Sequence, residues 1–150
     1  MKPSPDTALQ HPLVGQRVDL IDSPALVVDL DAMERNITRM ADFARKHQVQ
    51  WRPHANAHRS AELALQMQRA GAVGACVQKI AEAEVLAAGG VRDITLTNQV
   101  VAYPKLLRVA RLAARLQAQG GRLALAVDSP EGITRLAEAM AQAAPQTRID

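Results

Sequence analysis

At 150 residues, with eighteen basic against fifteen acidic side chains and a net charge of +3, the chain has the length of one ordinary domain with its own core. Fourteen of the basic groups are arginines scattered along helical repeats, with no basic run and no interleaved aromatics, which excludes a nucleic-acid surface. A lone cysteine, Cys76, excludes an internal disulfide; with no apolar run long enough for a bilayer and no signal-peptide core near Met1, the expectation is a cytoplasmic protein without membrane contact.

Residues 1–22, with Pro3, Pro5 and Pro12, read as a lead-in that ends in a short capping segment. After Ser23-Pro24, residues 25–29 form a continuous apolar run closed by Asp29, the pattern of a strand buried on both faces. Asp31 with Glu34 three residues on is an N-cap signature, and Met33, Ile37, Met40, Ala41 and Ala44 then repeat at helical spacing, which predicts a helix over 32–47. Residues 50–54 read as a second strand. Ser60 or a neighbour opens a second helix with Leu63, Ala64 and Met67 inward, ended by Gly71. Residues 74–78 give a third strand and 81–88 a short helix stopped by Gly89-Gly90. Residues 93–98 give a fourth strand. Tyr103-Pro104 then starts a helix with proline in its first turn, ended by Gly120-Gly121. A fifth strand, 123–127, leads through Asp128-Ser129-Pro130 into a fifth helix to about Ala144, and Arg148-Ile149-Asp150 reads as the start of a sixth strand.

Five βα units in succession require parallel strands joined by crossover helices, in a doubly wound open sheet or a (β/α)8 barrel. No Gly-x-Gly-x-x-Gly follows the first strand and no Walker loop is present, which counts against the nucleotide-binding sheet. Polar residues stand instead at the C-terminal ends of successive strands: Asp29, His54 with Asn56, Gln78 with Lys79, Asn98 and Asp128. Barrel enzymes build their sites there, so the expected fold is a (β/α)8 TIM-type barrel of which residues 23–150 hold about the first five units. The stretch 50–60 gathers two of the four histidines, two arginines and the only tryptophan. Strand alternation would point Arg52, His54, Asn56 and His58 the same way. An edge strand with its polar side in solvent would carry the same pattern.

The ordered words Ser-Pro-Ala-Leu-Val-Val-Asp-Leu-Asp (23–31), Arg-Pro-His-Ala-Asn-Ala-His-Arg-Ser (52–60), Gly-Ala-Val-Gly-Ala-Cys-Val-Gln-Lys-Ile-Ala-Glu-Ala-Glu (71–84), Asp-Ile-Thr-Leu-Thr-Asn-Gln-Val-Val (93–101) and Val-Asp-Ser (127–129) resemble the alanine racemase-type barrel of the fold-type III pyridoxal-phosphate enzymes. Within that group the chain is most similar to the D-threonine aldolase, 3-hydroxy-D-aspartate aldolase and D-serine dehydratase-like family. The resemblance implies a lyase, aldolase or dehydratase, acting on D-3-hydroxy amino acids such as D-threonine. It also implies pyridoxal 5'-phosphate as cofactor, a homodimer at full length, and a divalent metal held by residues beyond this chain, as is the family's C-terminal β domain.

The family words carry Arg-Pro-His-x-Lys-x-His-Lys, whose first lysine holds the cofactor as a Schiff base. Here Asn56 stands at that position and Arg59 at the second lysine. An amide nitrogen delocalised into its carbonyl is no nucleophile, and an arginine stays protonated. Sliding the alignment by two residues toward the alanine racemase word Lys-Ala-Asn-Ala puts His54 at the lysine position, and neither register supplies an amine. The resemblance places His54 and His58 beside the cofactor in orienting or proton-transfer roles, and Arg52, Gln78, Lys79 and Asn98 among its binding residues. The expectation is therefore an inactive relative of these lyases. The alternatives are a non-catalytic cofactor-binding or regulatory barrel, or an amino-acid racemase-like relative.

Overall fold

The computed structural model describes residues 12–150. After a 3-10 turn at Val18–Leu20, the elements are α1 (Leu30–Lys46), α2 (Ala61–Arg69), β1 (Ala75–Val77), α3 (Ile80–Ala88), β2 (Asp93–Leu96), α4 (Tyr103–Ala118), β3 (Arg122–Leu125) and α5 (Pro130–Ala143). The helices begin where short polar side chains can take up free N–H groups. Ser60 Oγ accepts from Leu63 N–H and Ser129 Oγ from Gly132 N–H, while Pro104 and Pro130 occupy first turns that need no donor. Helix α1 differs from expectation. Its cap is Asp29, whose carboxylate accepts from Ala32 N–H, so the helix starts two residues before the site read from Asp31.

The sheet runs β1-β2-β3, all parallel, with Ala75 beside Ile94 and Ile94 beside Leu123. Backbone bonds extend it at both sides. Residues 51–55 lie against β1 through Val73 N–H to Trp51 O, Cys76 N–H to Pro53 O and Ala55 N–H to Cys76 O. Of the expected strand 50–54, only the bridge at His54 opposite Cys76 survives, because Pro53 has no N–H to donate to the ladder. On the far side Asp150 N–H donates to Leu123 O, and Leu125 N–H to Asp150 O, so the chain enters a further parallel strand there. Residues 25–29 form no strand. Leu26 is 92% exposed, and Val27 and Val28 are also exposed. An apolar run specifies burial, but a strand exists only through a partner's hydrogen bonds, and these residues have none.

Neighbouring strands follow one another in chain order with no reversal, so the array lacks the switch point of a doubly wound sheet. Helices cover one face only. Ala75, Val77, Ile94, Leu96, Leu123 and Leu125 point outward into a core built with Leu86, Leu106, Val109 and Leu116 from α3 and α4. The alternate positions, Cys76, Asp93, Thr95, Arg122 and Ala124, form the other face. One-sided helices on a monotonic parallel sheet are the construction of a (β/α) barrel, and the chain is a partial one.

Candidate active site

The site is organised by the turn that follows residues 51–54. Arg59 N–H closes it on Ala55 O at 2.7 Å, and Ala55 is buried beneath it. Arg59 itself sits in the left-handed region at φ 55°. Ser60 N–H donates to His58 Nδ1 at 3.1 Å, so the neutral ring carries its proton on Nε2. Burial lowers the His58 pKa and favours that neutral form. His58 Nε2 and Asn56 Oδ1 are both buried without a partner, as is Arg52 Nε. Three unpaired buried polar atoms within seven residues mark this turn out among the described residues, since groups in that state are ordinarily bonded.

The structure brings His54, Asn56, His58, Gln78 and Asn98 to the same end of the sheet, at or just past the C-terminal ends of their strands. His54, Gln78 and Asn98 are exposed there. Glu82 organises the start of α3, accepting from the backbone N–H groups of Gln78 at 3.0 Å and Lys79 at 3.2 Å. Lys79, also exposed, lines a cavity of about 300 Å3 with Ala55 and Arg59 of the turn and with Val77, Val85 and Leu86. Arg52 is turned toward the N-terminal ends of the strands. Its Nη1 donates to Thr95 Oγ1 at 2.9 Å and its Nη2 to Asp93 Oδ1 at 2.7 Å. Asp93, Thr95, Arg122 and Asp150 carry polar contacts on the inner face that the sequence reading passed over. The signal available was the charge at the first residue of two successive strands otherwise read as apolar.

Residues 28–149 match the family described as alanine racemase, N-terminal domain. The chain belongs to that family. Among curated relatives of this alanine racemase-type chain, 3-hydroxy-D-aspartate aldolase of Paracoccus denitrificans is 39% identical over 128 residues, covering 85% of this chain and 32% of the relative. D-threonine aldolase of an Arthrobacter species is 36% identical over 135 residues, covering 90% and 34%. Among solved structures, D-threonine aldolase from Filomicrobium marinum superposes with a TM-score of 0.80 at 42% identity over 87% of this chain and 33% of that one. D-threo-3-hydroxyaspartate dehydratase from Delftia sp. HT23 gives 0.69 at 34% identity, over 82% and 31%. The chain thus spans about a third of the length of the relatives it matches.

The resemblance makes pyridoxal phosphate the group to test against this site. Covalent attachment does not fit. Asn56 offers an amide where the family words place an amine, and Arg59 stays protonated. Among the described residues no cluster of three or more His, Cys, Asp or Glu side chains is arranged to hold a metal.

Proposed function

We propose that this chain is the barrel portion of a lyase-type protein of the pyridoxal-phosphate class, directed to D-3-hydroxy amino acids, in which Asn56 has abolished covalent cofactor attachment and with it turnover. The family match and the names of the relatives support the class. The single observation that carries the loss is Asn56 in the turn after the strand paired to β1, with its Oδ1 buried and unpartnered. In this reading His54 and His58 flank the reacting group, Gln78 and Asn98 line the mouth, and the free Nε2–H of His58 donates to whatever occupies it. A non-catalytic cofactor-binding or regulatory role shares the same site, and the carboxamide favours it over racemase chemistry, which would need a base at this position.

The test is borohydride reduction in the presence of pyridoxal phosphate, followed by peptide mass spectrometry. The parent chain should show no reduced adduct on the peptide carrying Asn56, and Asn56→Lys should gain one there. A stoichiometric adduct on Lys79 of the parent would overturn the reading.

A further inference from the structure

We infer that Arg52 is a positioning residue, setting the register of the His54–Asn56–His58 stretch against the sheet through a chain of ion pairs on the inner face; this rests on reading that stretch as the site. Strand register is ordinarily fixed by which residues must be buried, and a slip of two residues keeps every side chain on its own face. Residues 52 and 54 are both polar, so such a slip changes no apolar burial on the inner side. The backbone ladder is short as well: Pro53 cannot donate, and three bonds, from Val73, Cys76 and Ala55 N–H, accompany one bridge, His54 opposite Cys76. The buried Ala55 on the outer side and the backbone bonds to β1 favour the observed register, and a contact on the inner side that is sensitive to displacement adds to them.

Arg52 supplies that contact by gripping two points along one strand. It reaches over β1 to Asp93 at 2.7 Å and Thr95 at 2.9 Å, neighbours on one face of β2. A planar fork on two acceptors is sensitive to displacement along the strand, and two residues of slip is about 6.6 Å. An imidazole brought to position 52 could not span both. The acceptor is itself anchored. Asp93 Oδ2 accepts from Arg122 Nε at 2.9 Å, and Arg122 Nη1 reaches Asp150 Oδ2 at 3.3 Å, so the chain crosses from the site strand to the last one. The side chains of Arg52 and Asp93 are 19% and 25% exposed, which shields the pair from the screening that weakens surface ion pairs. Gly74 makes the reach over β1 open: a Cβ there would lie 2.5 Å from Asp93 O and 2.8 Å from Asp93 Oδ1.

The native Cys76 reports the register. Adjacent strands lie about 4.8 Å apart, within disulfide reach for directly opposed residues. Under alkaline copper-phenanthroline oxidation, needed because burial pushes the Cys76 thiol up, His54→Cys should crosslink to Cys76 while Asn56→Cys, on a two-residue offset with Arg52 and its ion pairs in place, should not. Adding Asp93→Asn, or Gly74→Ala, should lower the His54→Cys yield at least threefold and raise crosslinking at Asn56→Cys. Arg52→Cys by itself, which removes the fork, should already crosslink. The inference is overturned if His54→Cys remains the dominant crosslink in both backgrounds. It is equally overturned if Asp93→Asn abolishes amide protection of Leu96 and Leu125, since the ion pairs would then hold the sheet rather than its register. No cofactor enters the readout, so its failure and the failure of the lyase reading are separate results.

Discussion

Lysine and asparagine differ by an amine with a usable lone pair, and the proposed loss of turnover rests on that difference at position 56. His58 is the companion case. Its ring is held neutral because burial lowers its pKa and because Nδ1 already accepts from Ser60 N–H. As pH falls below about 6.5, the ordinary imidazole value, the unfolded chain takes up a proton that the folded site resists. The stability His58 contributes is therefore whole above that pH and lost as pH falls through the lowered folded value. His58→Gln should flatten the decline in thermal midpoint between pH 7 and pH 5; parallel declines in parent and variant would exclude His58 as the group responsible. At the close of the turn, four residues beyond Ala55, Arg59 pays for its φ of 55° without a side-chain hydrogen bond or ion pair among the described residues. Arg59→Gly relieves a left-handed strain of about 1–2 kcal/mol, offset in part by the unfolded-state entropy of glycine, and should raise stability by up to about 1 kcal/mol in urea denaturation. A loss of stability would mean the arginine side chain contributes more than its backbone costs.

Helices α1, α2 and α5 start at side-chain caps, which makes that part of their energetics separable from packing. Asp29 caps α1, although Asp31 with Glu34 carries the stronger sequence signature. Asp29→Ala should cost about 1 kcal/mol by chemical denaturation, and Asp31→Ala less than half of that. The reverse ranking would restore the helix start that the sequence suggests. Helix α5 offers an internal control, since Ser129→Ala removes the Oγ that accepts from Gly132 N–H and should cost a similar amount. Between α3 and α4, Arg108 donates through Nε and Nη2 to Glu84, and this hydrogen bond is the main reason the Glu84 carboxyl sits below its usual range. The pair ties two outer helices whose inner faces already share Leu86, Leu106 and Val109.

Taken as a whole, the molecule has one sheet face covered and apolar ribbons bare. Leu26, Val27, Val28 and Leu30 are exposed in a row, and Val14, Val18 and Leu20 are exposed nearby. Separately, the backbone groups of Arg52 and His54 face away from β1 with no ladder partner among the described residues. A free parallel edge and exposed apolar chain are each a template for association. The protein is predicted to self-associate in sedimentation velocity at micromolar concentration, and Leu26→Lys with Val28→Lys should shift it toward monomer. A parent that sediments as a monomer throughout would show that the bare ribbon is satisfied some other way. No helix among the described residues is long and apolar enough to cross a membrane.

What was legible in the sequence was whatever depends on neighbours a few residues apart. The five helices follow from 3.6-residue spacing, from Ser60 and Ser129, and from the paired glycines after Ala88 and Gln119. β2 and β3 follow from short apolar runs between turns. The succession of βα units was enough to expect a barrel, and the word at 52–60 was enough to place the candidate site and to notice the asparagine in it. Tertiary structure alone decided what joins distant residues. Residues 25–29 read as a strand because they are apolar, yet pairing needs a partner that the local pattern cannot name. The resemblance places Arg52 among the cofactor's binding residues, but no local pattern names the partner its guanidinium takes: Asp93 is 41 positions away, and only the folded sheet brings that carboxylate within 2.7 Å. Local spacing is written along the chain; the identity of an ion-pair partner is set by which strands lie side by side, and that exists only once the sheet has formed.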